Sequence, residues 1–321
     1  MDNKVLIEQN ETIVIHLIII FGSGILFLGF FYSLLTFSYR NVILFTIFSL
    51  SLIFYIIPRG KTKKRKKEIY IGLILCFILS YSIIKLYLKN DMFYQIHLYY
   101  ISLIIYHYSE YISVLMYHFN KCSWHSYLID QSKEWIFATL FGFSEFYIEM
   151  YFFPGFKNSK INVILGLITL IIGQFFRISA LFTGKNSFTH LISYKKKKEH
   201  ILITHGIYSI SRHPSYFGFY LWSIGTQILC FNPLCIFAYT IVLFIFFKYR
   251  ILEEEMYLIY FFGYDYINYK RKVPILIPFI GLSEDEEKKG LEIYKKNKEK
   301  EEKFRDNFVT QNDDESEENE D

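Results

Sequence analysis

The chain has 321 residues, of which 52% are hydrophobic and 20% aromatic, and its formal net charge is only +4. Its mean hydropathy is +0.22 even though residues 281–321 are mostly charged. Few soluble domains have this composition, so an ordinary soluble globular fold is excluded, and no nucleic-acid partner is expected. The chain is predicted to be an all-α integral membrane protein.

Eight apolar stretches are candidates for membrane-spanning helices, because one crossing takes roughly 20 helical residues. In chain order they cover residues 13–37, 42–57, 69–88, 93–119, 135–153, 161–182, 216–229 and 234–247. The last two are short and are separated only by residues 230–233, which predicts a tight helical hairpin. The predicted architecture is therefore a polytopic bundle of about eight helices.

Lysine and arginine bias predicts the orientation of this bundle. Seven basic residues occupy 59–67 and six occupy 183–214, whereas the connections 89–91 and 154–160 hold one and two. We therefore expect both basic segments and both termini on the cytosolic side, together with the face of the bundle that carries residues 212–216.

Three regions differ in character along the chain. Residues 1–182 are expected to form a bundle of about six helices, and residues 183–280 alternate polar loops with the hairpin, as a catalytic region would. Residues 281–321 form a charged tail whose last nine residues hold seven acids and no base. Such a segment buries too little apolar surface to fold, so we expect disorder beyond a short helix.

The run Arg212-His213-Pro214-Ser215-Tyr216 is the most informative local feature. Arg250 lies 38 residues after Arg212, and three acids follow it at 253–255. Polar clusters where apolar helices meet water usually mark a site, and Pro214 suits the first turn of a helix. The alternative is that Arg212 binds lipid phosphate, His213 is solvated and Tyr216 is an aromatic anchor. The residues alone leave both interpretations open.

Arg250 and Glu254 lie four residues apart, hence on one face of a helix. A simple ion pair between them would contribute only a few tenths of a kcal/mol. Their presence is better explained if Arg250 binds a carboxylate and Glu254 binds a polar group of a cofactor. The strip from His200 to Tyr208 is either part of that site or a plain connector.

Two polar residues, His107 and Glu110, fall inside the predicted helix 93–119. At membrane depth they should be paired and face inward, and we favour structural pairing over catalysis. The histidines at 97, 107, 118 and 125 stand 10, 11 and 7 residues apart and form no metal-binding box. No metal is expected.

Residues 106–280 resemble a known family. The segments YHYSEY, FRISALFTGKNSFTH, HGIYSISRHPSYFGFYLWSIGTQILCFNP and FFKYRILEEEMYLIYFFGYDYINYKRKVPILIPFI are similar to those of isoprenylcysteine carboxyl methyltransferases. The resemblance implies a multi-pass enzyme of the endoplasmic reticulum membrane that uses S-adenosyl-L-methionine. Its substrates would be CaaX proteins whose new C-terminal prenylcysteine carboxylate is methylated after proteolysis, and membrane lipid would be its other partner.

The resemblance also implies site residues. Arg250 would bind the substrate carboxylate and act in catalysis together with Arg212. The cofactor contacts would be Ser193, His200, Ile201, Leu202, Ile203, Tyr208, His213, Pro214, Ser215, Tyr216 and Glu254. Two departures from the family pattern are Ser193, where relatives usually have glutamine, and Leu252, which replaces the first of four acids.

Three other functions remain open from the residues. A phospholipid N-methyltransferase would share the cofactor strip but methylate an amine in lipid. A sterol reductase-like enzyme would have a similar C-terminal segment but use NADPH. A channel or scaffold would bind no cofactor and would tolerate replacement of Arg250 and Glu254.

Overall fold

The computed structural model describes residues 3–35, 62–88, 93–157, 159–196 and 200–317, and none of these lies in a β-strand. Apart from single turns, this part of the chain contains ten α-helices. Their bounds are α1 Asn3–Leu17, α2 Gly24–Leu35, α3 Lys63–Tyr87, α4 Tyr94–Tyr117, α5 Lys133–Phe152, α6 Lys160–Gly184, α7 Pro214–Cys230, α8 Pro233–Phe262, α9 Tyr264–Lys272 and α10 Glu284–Glu317. The predicted all-α class is confirmed.

The predicted stretches and the helices agree in order and differ at their ends. The first stretch is continuous from Asn3 to Leu35, through a π-helical segment at Ile18–Ser23. The second, 42–57, lies outside the described residues. Capping explains where others begin: Thr62 accepts a hydrogen bond from the Arg65 amide, and Ser132 accepts one from the Trp135 amide, which satisfies free N–H groups of the first turn.

Helix α8 differs most from expectation. The prediction of a short second hairpin arm, 234–247, is wrong, because α8 has 30 residues and ends only at Phe262. At 1.5 Å per residue it is about 45 Å long. No glycine or proline interrupts it before Gly263, and Arg250 and Glu255 in its charged part bond other protein groups. Arg250 and Glu254 therefore belong to the same helix as the apolar hairpin arm.

Three helices of the described part are long and apolar enough to cross a membrane. They are Lys63–Tyr87, Lys160–Ser187 and Pro233–Phe262. Many of their large apolar side chains are exposed on the protein surface, including Ile168, Phe175 and Val242. An apolar exterior of this kind suits a lipid environment.

Helices α6 and α7 pack backbone against backbone through glycines. A Cβ atom built at Gly173 would lie 2.3 Å from the Trp222 amide nitrogen and 2.7 Å from the Gly218 carbonyl oxygen. A Cβ at Gly218 would in turn lie 2.5 Å from the Arg177 amide nitrogen. Small residues at helix crossings are a common device in membrane bundles. Here they bring Arg177 of α6 next to the start of α7.

We expect Gly173→Ala to destabilise the protein by about 3 kcal/mol, at the upper end of the usual cost of overpacking. The clash is with main-chain atoms, which cannot rotate away, so the two helices would have to separate. Gly155→Ala is the matched control, because nothing lies within 4 Å of the added Cβ. Thermal unfolding in detergent should show a clear loss for the first variant only. Equal melting temperatures would contradict the tight crossing.

The turn between α7 and α8 is fixed by buried charges. Lys157, fully buried, donates to the carbonyl of Phe231 at 2.7 Å and to Asn232 Oδ1 at 2.9 Å, and it pairs with Glu149. Glu145 accepts hydrogen bonds from the first free amides of α8, at Leu234 (2.7 Å) and Cys235 (2.8 Å). A carboxylate at a helix N-terminus is favourable. The hairpin is therefore tied to α5.

The tail is more helical than the composition suggested. Helix α10 runs over Glu284–Glu317, well beyond a short helix. Ser283 caps its start together with Glu286. Its first part packs on α8 and α9, with Gly290 against Ile259 and Tyr294 against Gly263. A few apolar residues on one face, rather than average composition, give this segment a docking surface.

Candidate functional site

The motif at 212–216 lies at the junction of three elements. A 3₁₀ turn over Gly206–Ser209 precedes it, Pro214 is the first residue of α7, and His213 is its N-cap. Proline is well placed there, since its missing N–H has no partner in the first turn of a helix anyway. The motif therefore holds one wall of a site at the start of α7, beside the polar half of α8.

Arg212 and Glu255 are the centre of a buried network. Glu255 is fully buried and accepts two hydrogen bonds from Arg212, Nε to Oε1 at 2.9 Å and Nη2 to Oε2 at 3.2 Å. It also accepts from His213 Nε2 at 2.9 Å and from the Tyr266 hydroxyl at 2.6 Å, while Lys270 Nζ lies 3.7 Å away. Such a network fixes α7, α8 and α9 relative to one another.

Arg212 itself points into this network. Its Nη1 donates to the carbonyls of Lys270 and Val273, in addition to the pair with Glu255. These contacts favour a positioning role over contact with reacting atoms. The catalytic part predicted for Arg212 stays a prediction.

His213, Tyr216 and Arg250 form a continuous wall. The His213 ring stacks on Tyr216 with centroids 5.7 Å apart and planes 9° apart. The Tyr216 hydroxyl accepts a hydrogen bond from Arg250 Nε at 3.0 Å. Arg250 also donates from Nη2 to the carbonyl of His190. Of the five guanidinium N–H groups, these two contacts leave three to bind an anion.

Glu254 completes the wall one helical turn after Arg250. Because a carboxylate only accepts hydrogen bonds, the Nε2 of His213 that faces Glu255 carries a hydrogen. The other ring nitrogen, Nδ1, lies 3.6 Å from Glu254 Oε2, which is buried and has no hydrogen-bond partner among the described residues. A carboxylate oxygen in this position suits a ligand that brings hydroxyl or amino donors.

The remaining predicted cofactor contacts lie in the loop between α6 and α7, where His200 and Leu202 pack near the last turns of α8. Ser193 donates to the carbonyl of Lys195, so its short side chain is occupied locally. In the strip 200–203, Ile201 is exposed and Leu202 packs against the cluster around Ile259. The other members, His200 and Ile203, are half-buried.

Tyr208 connects the strip to the site. Its hydroxyl donates to the Ala180 carbonyl at 3.4 Å, and its own carbonyl accepts a hydrogen bond from Tyr269. Burial, with the negative charge of Glu254 nearby, raises the pKa of Tyr208 above its ordinary value. The phenol is therefore neutral at physiological pH and serves as a hydrogen-bonding and aromatic group rather than as a base.

A second buried cation reaches the site from α6. Arg177 donates from Nε to Glu110 Oε1 at 2.6 Å and from Nη1 to the Ser215 hydroxyl at 2.5 Å. The expectation that Glu110 and His107 are inward and paired is confirmed, but with different partners, since His107 bonds the Tyr127 carbonyl at 2.6 Å. Sequence reasoning missed Arg177, although a charge inside the apolar stretch 161–182 is itself a signal of a site.

His190 makes the stability of the folded protein depend on pH. Burial, more than the charges around it, lowers the pKa of His190 from 6.5 to about 4. The unfolded chain therefore binds a proton more readily than the folded one, and stability falls as pH drops from about 6.5 towards 4. We expect His190→Gln to reduce this slope in thermal melts taken at pH 7 and pH 5. The same slope in the variant would contradict the assignment.

No group of three histidine, cysteine, aspartate or glutamate residues in the described parts of the chain is arranged to hold a metal ion. The charged groups of the site are instead three arginines, Arg177, Arg212 and Arg250, and three glutamates, Glu110, Glu254 and Glu255.

Comparisons with known proteins agree with this geometry. Residues 164–260 match the model of the isoprenylcysteine carboxyl methyltransferase (ICMT) family. Protein-S-isoprenylcysteine O-methyltransferase of Tribolium castaneum is 42% identical over 182 residues, which cover 56% of this chain and 65% of that protein. The enzyme of the same name from Saccharomyces cerevisiae is 40% identical over 194 residues, 59% of this chain and 81% of that protein.

The fold agrees as well. A solved structure of the eukaryotic intramembrane Ras methyltransferase ICMT superposes with a TM-score of 0.72 and 32% sequence identity, covering 83% of this chain and 96% of that one. The chain spans about 65% of the length of the Tribolium relative. A relative at 40% identity covered over four fifths of its length, and a matching structure covered almost completely, lead to one conclusion. The chain belongs to the isoprenylcysteine carboxyl methyltransferase family.

Proposed function

We propose that the protein methylates the C-terminal carboxylate of prenylated cysteine in CaaX-processed proteins, with S-adenosyl-L-methionine as methyl donor. One observation carries the proposal. The motif at 212–216 and the charged half of α8 form a single wall, in which Arg250 bonds Tyr216 and Tyr216 stacks on His213. A cation for a carboxylate and acceptors for a nucleoside thus lie side by side.

The donor groups of S-adenosyl-L-methionine fit the residues present. Glu254 Oε2 is buried and has no hydrogen-bond partner in the described chain, and the ring of His213 lies beside it. Acidic side chains commonly bind ribose hydroxyls in nucleotide sites. The aromatic faces of Tyr216 and Tyr208 suit a sulfonium cation. When bound, this cofactor supplies an electrophilic methyl group on a positively charged sulfur.

The substrate needs no general base. An α-carboxylate of ordinary pKa is already ionised at pH 7. One of its oxygens would accept the methyl group as the donor's carbon–sulfur bond breaks, which would leave a neutral methyl ester and a neutral thioether. No proton moves, which suits a site where Tyr208 is neutral and where Glu110 and Glu255 are paired with arginines.

The chain contributes orientation and exclusion of water. Arg250 would direct its three remaining N–H groups at the carboxylate, and Arg177, held by Glu110 and Ser215, adds a second positive charge next to the start of α7. Fixing the nucleophile in line with the methyl group can supply several kcal/mol of the barrier reduction. Removing water from the carboxylate in a closed site makes it a better nucleophile.

The membrane setting suits a lipid-modified substrate. Burying a prenyl chain gains about 0.8 kcal/mol per CH₂, so the tail would stay in hydrocarbon while the cofactor arrives from water. We propose a multi-pass enzyme of the endoplasmic reticulum membrane with about eight crossings and with both termini and the site on the cytosolic side. Residues 1–182, 183–280 and 281–321 would be its membrane bundle, catalytic region and charged tail.

The function is tested by incubating membranes that contain the protein with radiolabelled S-adenosyl-L-methionine and N-acetyl-S-farnesylcysteine. We expect a base-labile methyl ester of the farnesylcysteine. Methyl transfer into phospholipid instead would identify an N-methyltransferase. NADPH-dependent reduction of a sterol, without binding of S-adenosyl-L-methionine, would identify a reductase. A folded protein that forms no ester would overturn the proposal.

A further inference from the structure

Glu110 on α4 is fully buried, and its two carboxylate oxygens face different elements. Oε1 accepts the hydrogen bond from Arg177 on α6. Oε2 has no hydrogen-bond partner among the described residues and lies 3.6 Å from His190 Nε2. A closing movement of roughly 0.7 Å would make this a normal hydrogen bond. The carboxylate thus bridges a buried guanidinium and the loop that follows α6.

The loop that follows α6 also contacts Arg250 of α8. The carbonyl of His190 accepts a hydrogen bond from Arg250 Nη2, and the carbonyl of Phe188 faces His118 Nε2 of α4 at 3.0 Å. The side chain of His190 is 31% exposed. Displacement of this loop would remove one of the two acceptors that direct the Arg250 fork. The position of the loop therefore determines the direction of a cation on a different helix.

We propose that Glu110 and His190 form a positioning pair that directs Arg177 and Arg250 at the carboxylate of the prenylated substrate. The proposal rests on the function proposed above and adds two residues to its substrate site. Neither side chain is required to touch the reacting atoms. Glu110 holds Arg177 directly, and it holds Arg250 through His190 and the main chain of the loop.

The sign of the effect distinguishes positioning from simple charge. A negative charge close to a carboxylate site repels the substrate, so on Coulomb grounds alone Glu110→Gln should bind the substrate more tightly. Loss of positioning has the opposite effect, because the two guanidinium groups no longer converge. A rise in KM for the prenylcysteine is therefore evidence for positioning that neither repulsion nor general destabilisation produces.

Glu68 offers a matched control. It too is a fully buried glutamate, bound by Arg65 Nη1 at 2.8 Å, and its Oε1 likewise has no hydrogen-bond partner in the described chain. It lies on α3 and contacts Tyr111 rather than any group of the site. Glu68→Gln therefore reproduces the loss of a buried ion pair without touching the substrate cations.

The test measures KM for N-acetyl-S-farnesylcysteine and KM for S-adenosyl-L-methionine separately in Glu110→Gln, His190→Gln and Glu68→Gln. We expect Glu110→Gln and His190→Gln to raise KM for the prenylcysteine by about 10-fold, because each removes about one charge-assisted contact to the substrate. KM for the methyl donor should change by less than about twofold. Glu68→Gln should lower the melting temperature and leave both KM values within about twofold.

The paired variant sharpens the result. If the residues act as one unit, Glu110→Gln combined with His190→Gln should raise KM little more than the larger single change. A lower KM in Glu110→Gln, or equal changes in both KM values, would overturn the proposal. Should Glu110→Gln fail to fold, the test rests on His190→Gln, because the His190 side chain is partly exposed and its replacement is tolerated more easily. An unchanged KM for the prenylcysteine in His190→Gln would then contradict the proposal. Wild-type protein that forms no ester would instead overturn the function itself.

Discussion

Arg250→Lys should lower kcat/KM for the prenylcysteine by about 100-fold, while the protein folds normally. Lysine keeps the positive charge but loses the planar fork that binds a carboxylate through two parallel hydrogen bonds. It also cannot bond the Tyr216 hydroxyl and the His190 carbonyl at once while facing the substrate. Misplacement of a reacting group by about 1 Å costs a factor of this size.

Arg271→Lys is the control for this change, because Arg271 is an exposed arginine on α9. Steady-state rates of ester formation at several concentrations of N-acetyl-S-farnesylcysteine, normalised to folded protein, compare the two variants. Arg271→Lys should match the wild type within about twofold. Activity of Arg250→Lys close to that of the wild type would exclude an orienting role for the guanidinium.

The three consecutive glutamates at 253–255 should respond to the same substitution in three different ways. Glu255→Gln should cost about 3–5 kcal/mol of stability and nearly all activity, because it breaks a fully buried pair and leaves Arg212 uncompensated. Glu254→Gln should fold normally and raise KM for S-adenosyl-L-methionine by about 10-fold, since it removes a charged acceptor. Glu253→Gln, at an exposed position, should change stability by less than about 0.5 kcal/mol.

Glu253→Gln is the matched control for Glu254 and Glu255, as it is the same chemical change one or two residues away on the same helix. Thermal unfolding separates the effect at Glu255 from the others, and titration with the methyl donor separates the effect at Glu254. A Glu255 variant as stable as the Glu253 variant would contradict the buried network. Equal affinity for the methyl donor in all three variants would contradict the role of Glu254.

The candidate site was predictable where chemistry is local in the sequence. Pro214 at a helix start, and Arg250 with Glu254 on one helical face, follow from residue type and spacing, and the structure brings these groups to one wall. The resemblance added the strip at 200–203, where the side chains of Ile201 and Leu202 point in different directions.

Other parts were beyond prediction because they depend on contacts distant in sequence. The pair between Glu110 and Arg177 joins residues 67 positions apart, and the contact between Arg250 and His190 joins residues 60 apart. Helix α8 continues beyond its apolar stretch to Phe262, and Arg250 and Glu255 in this continuation bond Tyr216 and Arg212. The tail helix formed because Gly290 meets α8 and Tyr294 meets the turn at Gly263 that follows α8.

By itself, the sequence determined the all-α membrane class, the order of the helices and the residue types of the site, because apolar run length, helical period and proline position act within a few turns. Only the tertiary structure decided which glutamate of the triplet is buried. It also decided that Arg212 pairs with Glu255 and that Arg177 bonds Ser215 of the site. Those outcomes depend on the close crossing of α6 and α7 and on which partner desolvates each charge. Burial and pairing are properties of the packed chain, so no local pattern specifies them.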